Sequence, residues 1–206
     1  MVIDDLKDIT LIEACKLYVR ASITGTTCDC KDYDFLLANG PTHINSNNSY
    51  YMPYGDPKYD IKIKLLKVDP HTGLWINILK GGPGSMLGIH RHYDQVYGYT
   101  FKGAWGYKEH PEWLSRAGDV VHETPGSVHT LYIDENHGET EVLFFVWGAL
   151  EFLDEFGNTI AIEDWRSILG KYVDYCEKNT LPIIDITYPK SKAPDVHFHN
   201  KDKVEL

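Results

Sequence analysis

His90 and His92 close the stretch Gly84-Ser-Met-Leu-Gly-Ile-His90-Arg-His92, and His129 closes a second one, Pro125-Gly126-Ser-Val-His129. Positions i and i+2 put two side chains on one face of an extended strand. A second strand carrying His129, folded back against the first, would bring three imidazoles to one point. Three neutral nitrogen donors leave coordination positions open, which is the donor set of a catalytic transition-metal site rather than a closed structural one. A lone strand histidine is ordinarily a hydrogen-bonded packing residue. Three at matched positions outweigh that reading. Imidazole accepts iron, zinc, nickel and copper alike, so these residues alone do not choose the ion.

Glu109 shares a strand face with Trp105 and Tyr107 at period two. A carboxylate on such a face is costly to bury unless a metal or another cation pairs with it. Glu109 is therefore a candidate catalytic group and fourth metal ligand, or an acceptor that holds a ligand imidazole in place. A rim position beside the turn at His110-Pro111-Glu112 is the competing reading, and both stay open. Trp75, Tyr97, Trp105, Tyr107 and His122 are candidates for a substrate pocket. Aromatic lining favours a flat apolar or aromatic substrate. For His122 a packed histidine is the stronger reading, and Arg91 points away from its histidine neighbours. His43, His71 and His137 lie in turn-rich text, and His197 and His199 lie in a tail without a glycine-rich lead. These five read as solvated.

The elements that must position the histidines are short strands. Ile61-Lys-Ile-Lys-Leu-Leu alternates apolar and basic residues and ends in a turn at Asp69-Pro-His-Thr-Gly73. Leu74–Leu79, Val96–Phe101, Ala104–Glu109, Asp119–His122, Thr130–Ile133 and Val142–Trp147 continue the series. Lys102-Gly103 reads as a tight hairpin between two of them. Such a run of short strands predicts a mainly β sandwich or barrel. Residues 4–21 carry helical spacing with acidic residues in the first turn, and 22–58 read as a long surface segment. A hairpin-like Leu153-Asp-Glu-Phe-Gly leads into a helix over 161–178, and the tail from Thr180 reads as extended. The stretches 1–59, 60–150 and 151–206 are expected to form a single domain, with the last packed on the barrel.

The whole chain narrows the setting. Its 206 residues are 43% hydrophobic, ample for a core. A net charge of -10 argues against nucleic-acid and anionic-membrane partners. The start lacks the basic and apolar runs of a signal peptide, and no apolar stretch suits a bilayer span. Cytoplasm is the expected location. Cys15 and Cys176 read as buried small hydrophobes, and Cys28 and Cys30 as reduced, structurally neutral thiols.

The histidine motifs resemble the cupin family of double-stranded β-helix barrels. Gly84, His90, His92 and Gly103 fall in register with the first cupin motif, and Val96 stands where the acidic ligand usually sits. Gly118, Gly126 and His129 match the second motif. There Pro125 fills the middle position, and Thr124 and Ile133 replace a Pro and an Asn. The closest likeness is to the ChrR-like group that includes 2,4'-dihydroxyacetophenone dioxygenase, through His90-Arg-His92, Gly103-Ala-Trp-Gly-Tyr-Lys-Glu109 and Glu123-Thr-Pro-Gly-Ser-Val-His129. The likeness covers roughly residues 60–175. It implies a cupin barrel with helical or extended additions at both ends, and iron(II) as the ion, with zinc, nickel or manganese as alternatives. It further implies an O2-dependent dioxygenase that cleaves a carbon–carbon bond beside a carbonyl of a small-molecule hydroxyketone or diketone, an aryl ketone included. A hydrolase or isomerase dependent on zinc or another metal, and a non-catalytic metal- or ligand-binding sensor, are the alternatives. Barrels of this kind present open sheet edges, so a homodimer or higher homo-oligomer is expected.

Overall fold

The computed structural model describes residues 44–187. The helix expected over 4–21, the readings of Cys15, Cys28 and Cys30, and His43, His197 and His199 lie outside the described residues. In chain order the strands are β1 (Tyr51–Pro53), β2 (Ile61–Val68), β3 (Trp75–Gly81), β4 (His90–His92), β5 (Val96–Lys102), β6 (Ala104–Tyr107) and β7 (Ser115–Arg116). They continue as β8 (Val120–Glu123), β9 (Val128–His129), β10 (Leu131–Ile133), β11 (Thr140–Val146), β12 (Leu150–Leu153) and β13 (Thr159–Glu163), followed by helix α1 (Trp165–Lys178). The chain is mainly β, as the sequence predicts.

Antiparallel pairing builds three separate sheets, ordered β1-β2-β3-β11-β5-β8, β10-β6-β7 and β13-β12-β4-β9. Alternation decides which residues face inward. In β2, Ile61, Ile63 and Leu65 are buried while Lys62 and Lys64 stay half-exposed, and a register shift between Leu65 and Lys67 returns Val68 to the inside. In β11, Thr140, Val142, Phe144 and Val146 are the buried set. Register then ties five strands into one inward row, Val68–Trp75–Val146–Val96–Glu123. All five side chains of this row are buried.

Lys102-Gly103 is not a hairpin. β5 pairs with β11 and β8, whereas β6 pairs with β10 and β7, so at Gly103 the chain leaves one sheet and enters another. Gly103 has φ +74, a backbone region that L side chains rarely adopt. The corner is fixed by Thr140 Oγ1, which accepts from the Ala104 N–H at 3.0 Å and donates to its carbonyl at 3.1 Å.

Two compact units share the described chain. Ser46–Trp165 holds all thirteen strands, and the residues from Arg166 onward belong to the second unit. The helix expected to start at 161 starts at Trp165, because Thr159–Glu163 forms a ladder with β12. Within the second unit, Ile168, Leu169, Tyr172, Val173 and Cys176 make one buried stripe at helical spacing. Thr180 caps the helix at φ 55, with Leu181 N–H reaching back to the Cys176 carbonyl at 2.9 Å. No helix among the described residues is long and apolar enough to cross a membrane.

Candidate metal centre

β4 and β9 set His90 directly opposite His129 in antiparallel register, and His92 follows two residues along on the same face. The turn at Pro125-Gly126 makes this pairing possible. Gly126 N–H donates to the His92 carbonyl at 2.7 Å, and His92 N–H donates to Ser127 O at 3.1 Å. The consequence is a compact imidazole cluster with ring centroids 5.0 Å (His90–His92), 4.7 Å (His90–His129) and 5.0 Å (His92–His129) apart. One ligand nitrogen from each lies within 4.8 Å of the others. Each histidine is only 3% exposed.

Hydrogen bonding selects the free lone pair of His90. Its Nδ1–H donates to the Gly88 carbonyl at 2.7 Å, which leaves Nε2 unprotonated. Burial, reinforced by the neighbouring His92 and His129, pushes its pKa down to about 3. The ring therefore stays neutral, which is the ligating form.

Glu123, at the end of β8, is the acid that sequence reasoning passed over. Its carboxylate Oε2 lies 2.7 Å from His92 Nε2 and 3.4 Å from His129 Nε2, and His92 Nε2 lies 3.1 Å from His129 Nε2. The Oε2 contacts have ion-pair distances without hydrogen-bond direction, so Oε2 is buried and unpartnered. The other oxygen, Oε1, accepts from the Tyr107 hydroxyl. Tyr107 in turn stacks on His129, with centroids 3.8 Å apart. Burial alone would raise the Glu123 carboxyl, but the adjoining His129 and His92 outweigh it and hold the carboxyl well below the usual range. Burial and the Glu123 charge hold the Tyr107 hydroxyl well above its ordinary value, so it remains a donor.

This arrangement fits a cation. His90 offers a bare Nε2, the His92 and His129 Nε2 atoms lie 3.1 Å apart, and Glu123 Oε2 is buried beside them without a hydrogen-bond partner, a state that is costly unless a cation joins it. A divalent first-row metal ion bound by His90, His92 and His129, with Glu123 beside it, would remove that cost. The centre opens on a cavity of about 30 Å³ whose lining includes Tyr54, Trp75, Asn77, Leu87, Phe144 and Leu150. A single water needs about 10–15 Å³, so the space has room for about two waters and a larger ligand would enter as lining side chains move.

The other candidate residues are dispersed. Trp75 and Tyr107 line this cavity. Trp105 does not; it is wholly buried, and its indole N–H donates to Thr100 Oγ1 at 2.8 Å. Tyr97 and His122 stack on each other on the outer face, with centroids 4.5 Å apart, because the pleat turns them away from inward-facing Val96 and Glu123. Glu109 does not join the imidazole cluster. β6 ends at Tyr107, which breaks the period-two face, and the exposed Glu109 carboxylate accepts from Thr130 N–H at 2.8 Å and Thr130 Oγ1 at 2.9 Å. Alternation carried the signal for Glu123: if Val120 and His122 share one face of β8, Glu123 must lie on the other.

The domain family described as ChrR cupin-like matches residues 39–151. An RmlC-like cupin protein from Ralstonia eutropha is 31% identical over 76% of this chain and 99% of its own, with a TM-score of 0.69. A protein of unknown function with a cupin-like fold, also from Ralstonia eutropha, is 23% identical over 73% of this chain and 97% of its own, at a TM-score of 0.59. An acetylacetone dioxygenase from Acinetobacter johnsonii is 23% identical over 72% of this chain and 97% of its own, at a TM-score of 0.57. The last two likenesses establish the cupin fold. No curated protein matches the sequence.

Proposed function

The chain belongs to the ChrR cupin-like family, and on that premise we propose that it is a non-haem iron(II) dioxygenase acting on small hydroxyketones or diketones. The reaction is O2-dependent cleavage of the bond between a carbonyl carbon and its hydroxylated or activated neighbour. With a hydroxyketone, both oxygen atoms enter the products as two carboxylic acids. One observation carries the reading: three buried imidazoles cluster beside a small, largely apolar cavity that His90 and His92 line. Iron bound there would supply Lewis acidity toward two adjacent substrate oxygens and an open position for O2.

The chain's own groups do the rest. Ligation through neutral imidazole would add no charge, so an ion held by His90, His92 and His129 keeps an attraction for an anionic enolate that the neighbouring Glu123 reduces only in part. Glu123 is too weak a base, with its carboxyl held well below the usual range, to deprotonate a ketone unaided. Its Oε2 stands beside the Nε2 atoms of His92 and His129, where it would offset part of the ion's charge, and Tyr107 fixes it from the other side. The aliphatic lining excludes water from the reacting centre. Any ketone would need lining side chains to move, a short-chain one less than an aryl one.

Oxygen uptake by the iron-loaded protein over a panel of hydroxyketones and diketones tests this. Stoichiometric consumption, with isotope label from O2 in both products, is the expected result. Turnover that continues under strict anaerobiosis, or with zinc but not iron, would replace the reading with a hydrolase or isomerase.

A further inference from the structure

Two polar side chains on one strand, both of residues that line the cavity, have no hydrogen-bond partner among the described residues. The indole N–H of Trp75 is buried with no hydrogen-bond partner. Asn77, 3% exposed, lines the same cavity, and no described residue hydrogen-bonds its carboxamide. They stand at i and i+2 on β3, hence on the same inward face, about 7 Å apart. Their neighbours across the ladder are apolar: Trp75 pairs with Val146, and Asn77 lies between Leu65 and Phe144.

The contrast within the sheet is informative. Thr100 and Thr140, the other uncharged polar side chains that face inward on these strands, are both satisfied. Thr100 bonds Ser115 and Trp105, and Thr140 bonds Ala104. An unpaired buried donor costs about 1–3 kcal/mol, so the Trp75 N–H, with the unbonded Asn77 carboxamide two residues along, calls for a ligand that pairs with them. We propose that Trp75 and Asn77 form a second polar subsite, which binds an uncharged oxygen of the substrate remote from the two oxygens that would chelate the metal. The inference rests on the dioxygenase reading and names its substrate class: a small diketone or hydroxyketone with a third, neutral acceptor such as an ether, ester, alcohol or further ketone. A carboxylate is disfavoured there. No Lys or Arg lines the cavity, and the ionised Glu123 does.

The test is anaerobic titration calorimetry of the iron-loaded protein with three probes: acetylacetone, its terminally methoxylated derivative, and the analogue ending in a carboxylate. The wild type should bind the methoxylated probe about tenfold more tightly than acetylacetone, and the carboxylate probe less tightly than either. Asn77→Leu should erase that preference while leaving metal content unchanged. Trp75→Phe, which keeps an aromatic ring in place, should cut the preference about threefold. The same preference in both variants, or none in the wild type, would overturn the subsite and leave the dioxygenase reading standing. Failure of acetylacetone itself to bind the loaded wild type would remove that reading and the subsite together.

Discussion

Each imidazole at the centre must offer a lone pair, and its hydrogen bonds decide which nitrogen can. For His90 the choice is made by the Gly88 carbonyl; for His92 and His129 the nearest charged neighbour is Glu123. The account therefore assigns Glu123 a large share of the site's affinity for a divalent ion. Glu123→Gln keeps the volume and can still accept from Tyr107, but it removes the charge. It should weaken metal binding by about 10–100-fold, measured by competition with a chelator. Glu109→Gln should leave that affinity within about twofold, because this carboxylate holds only Thr130, on the strand end beyond His129. Equal losses in the two variants would mean that the carboxylates have been assigned the wrong roles.

At the scale of elements, the corner at Gly103 decides which sheet receives the strand that carries Tyr107. A Cβ there would stand 2.1 Å from Thr140 Oγ1 and 2.7 Å from Thr140 Cα, at a positive φ. Gly103→Ala should destabilise the fold by about 2 kcal/mol or more, seen as a fall of roughly 5 °C in Tm. An unchanged Tm would contradict the corner. The nature of this turn was not legible in the sequence. Glycine at a positive φ serves a hairpin and a change of sheet equally well, and only the partners β11 and β10 separate the two. The His-x-His spacing was legible because strand geometry places i and i+2 on one face whatever the surroundings. The third ligand was legible through its motif, and its register opposite His90 only through the turn at Gly126. Period-two reasoning failed at Glu109 because it carried the strand past its last residue, Tyr107. It misplaced Tyr97 and His122 because inside and outside are assigned by the fold, not by aromatic character. The start of α1 was missed for a similar reason: Ile162 suits a helix by its spacing to Trp165, Ile168 and Leu169, yet pairing with β12 holds it extended.

For the whole molecule, the buried neutral His90 couples folding to pH. Its folded pKa of about 3 lies below its ordinary 6.5, so between these values the unfolded chain binds the extra proton. Stability is complete above about pH 6.5 and falls as pH drops, by up to about 1.4 kcal/mol per unit. The depressed Glu123 carboxyl acts in the same direction, but only below its ordinary value of 4.5. In metal-free protein, Tm should therefore decline on acidification from about pH 6.5 to about pH 4.5, and His90→Gln should flatten that decline. A pH-independent Tm in the wild type would show that His90 is not held neutral. The central claim, that His90, His92 and His129 together hold one catalytic metal ion, meets its most direct test in elemental analysis of anaerobically purified protein. The account predicts about one divalent ion per chain in the wild type and large loss in each single His→Ala variant. Full metal retention in all three variants would contradict it.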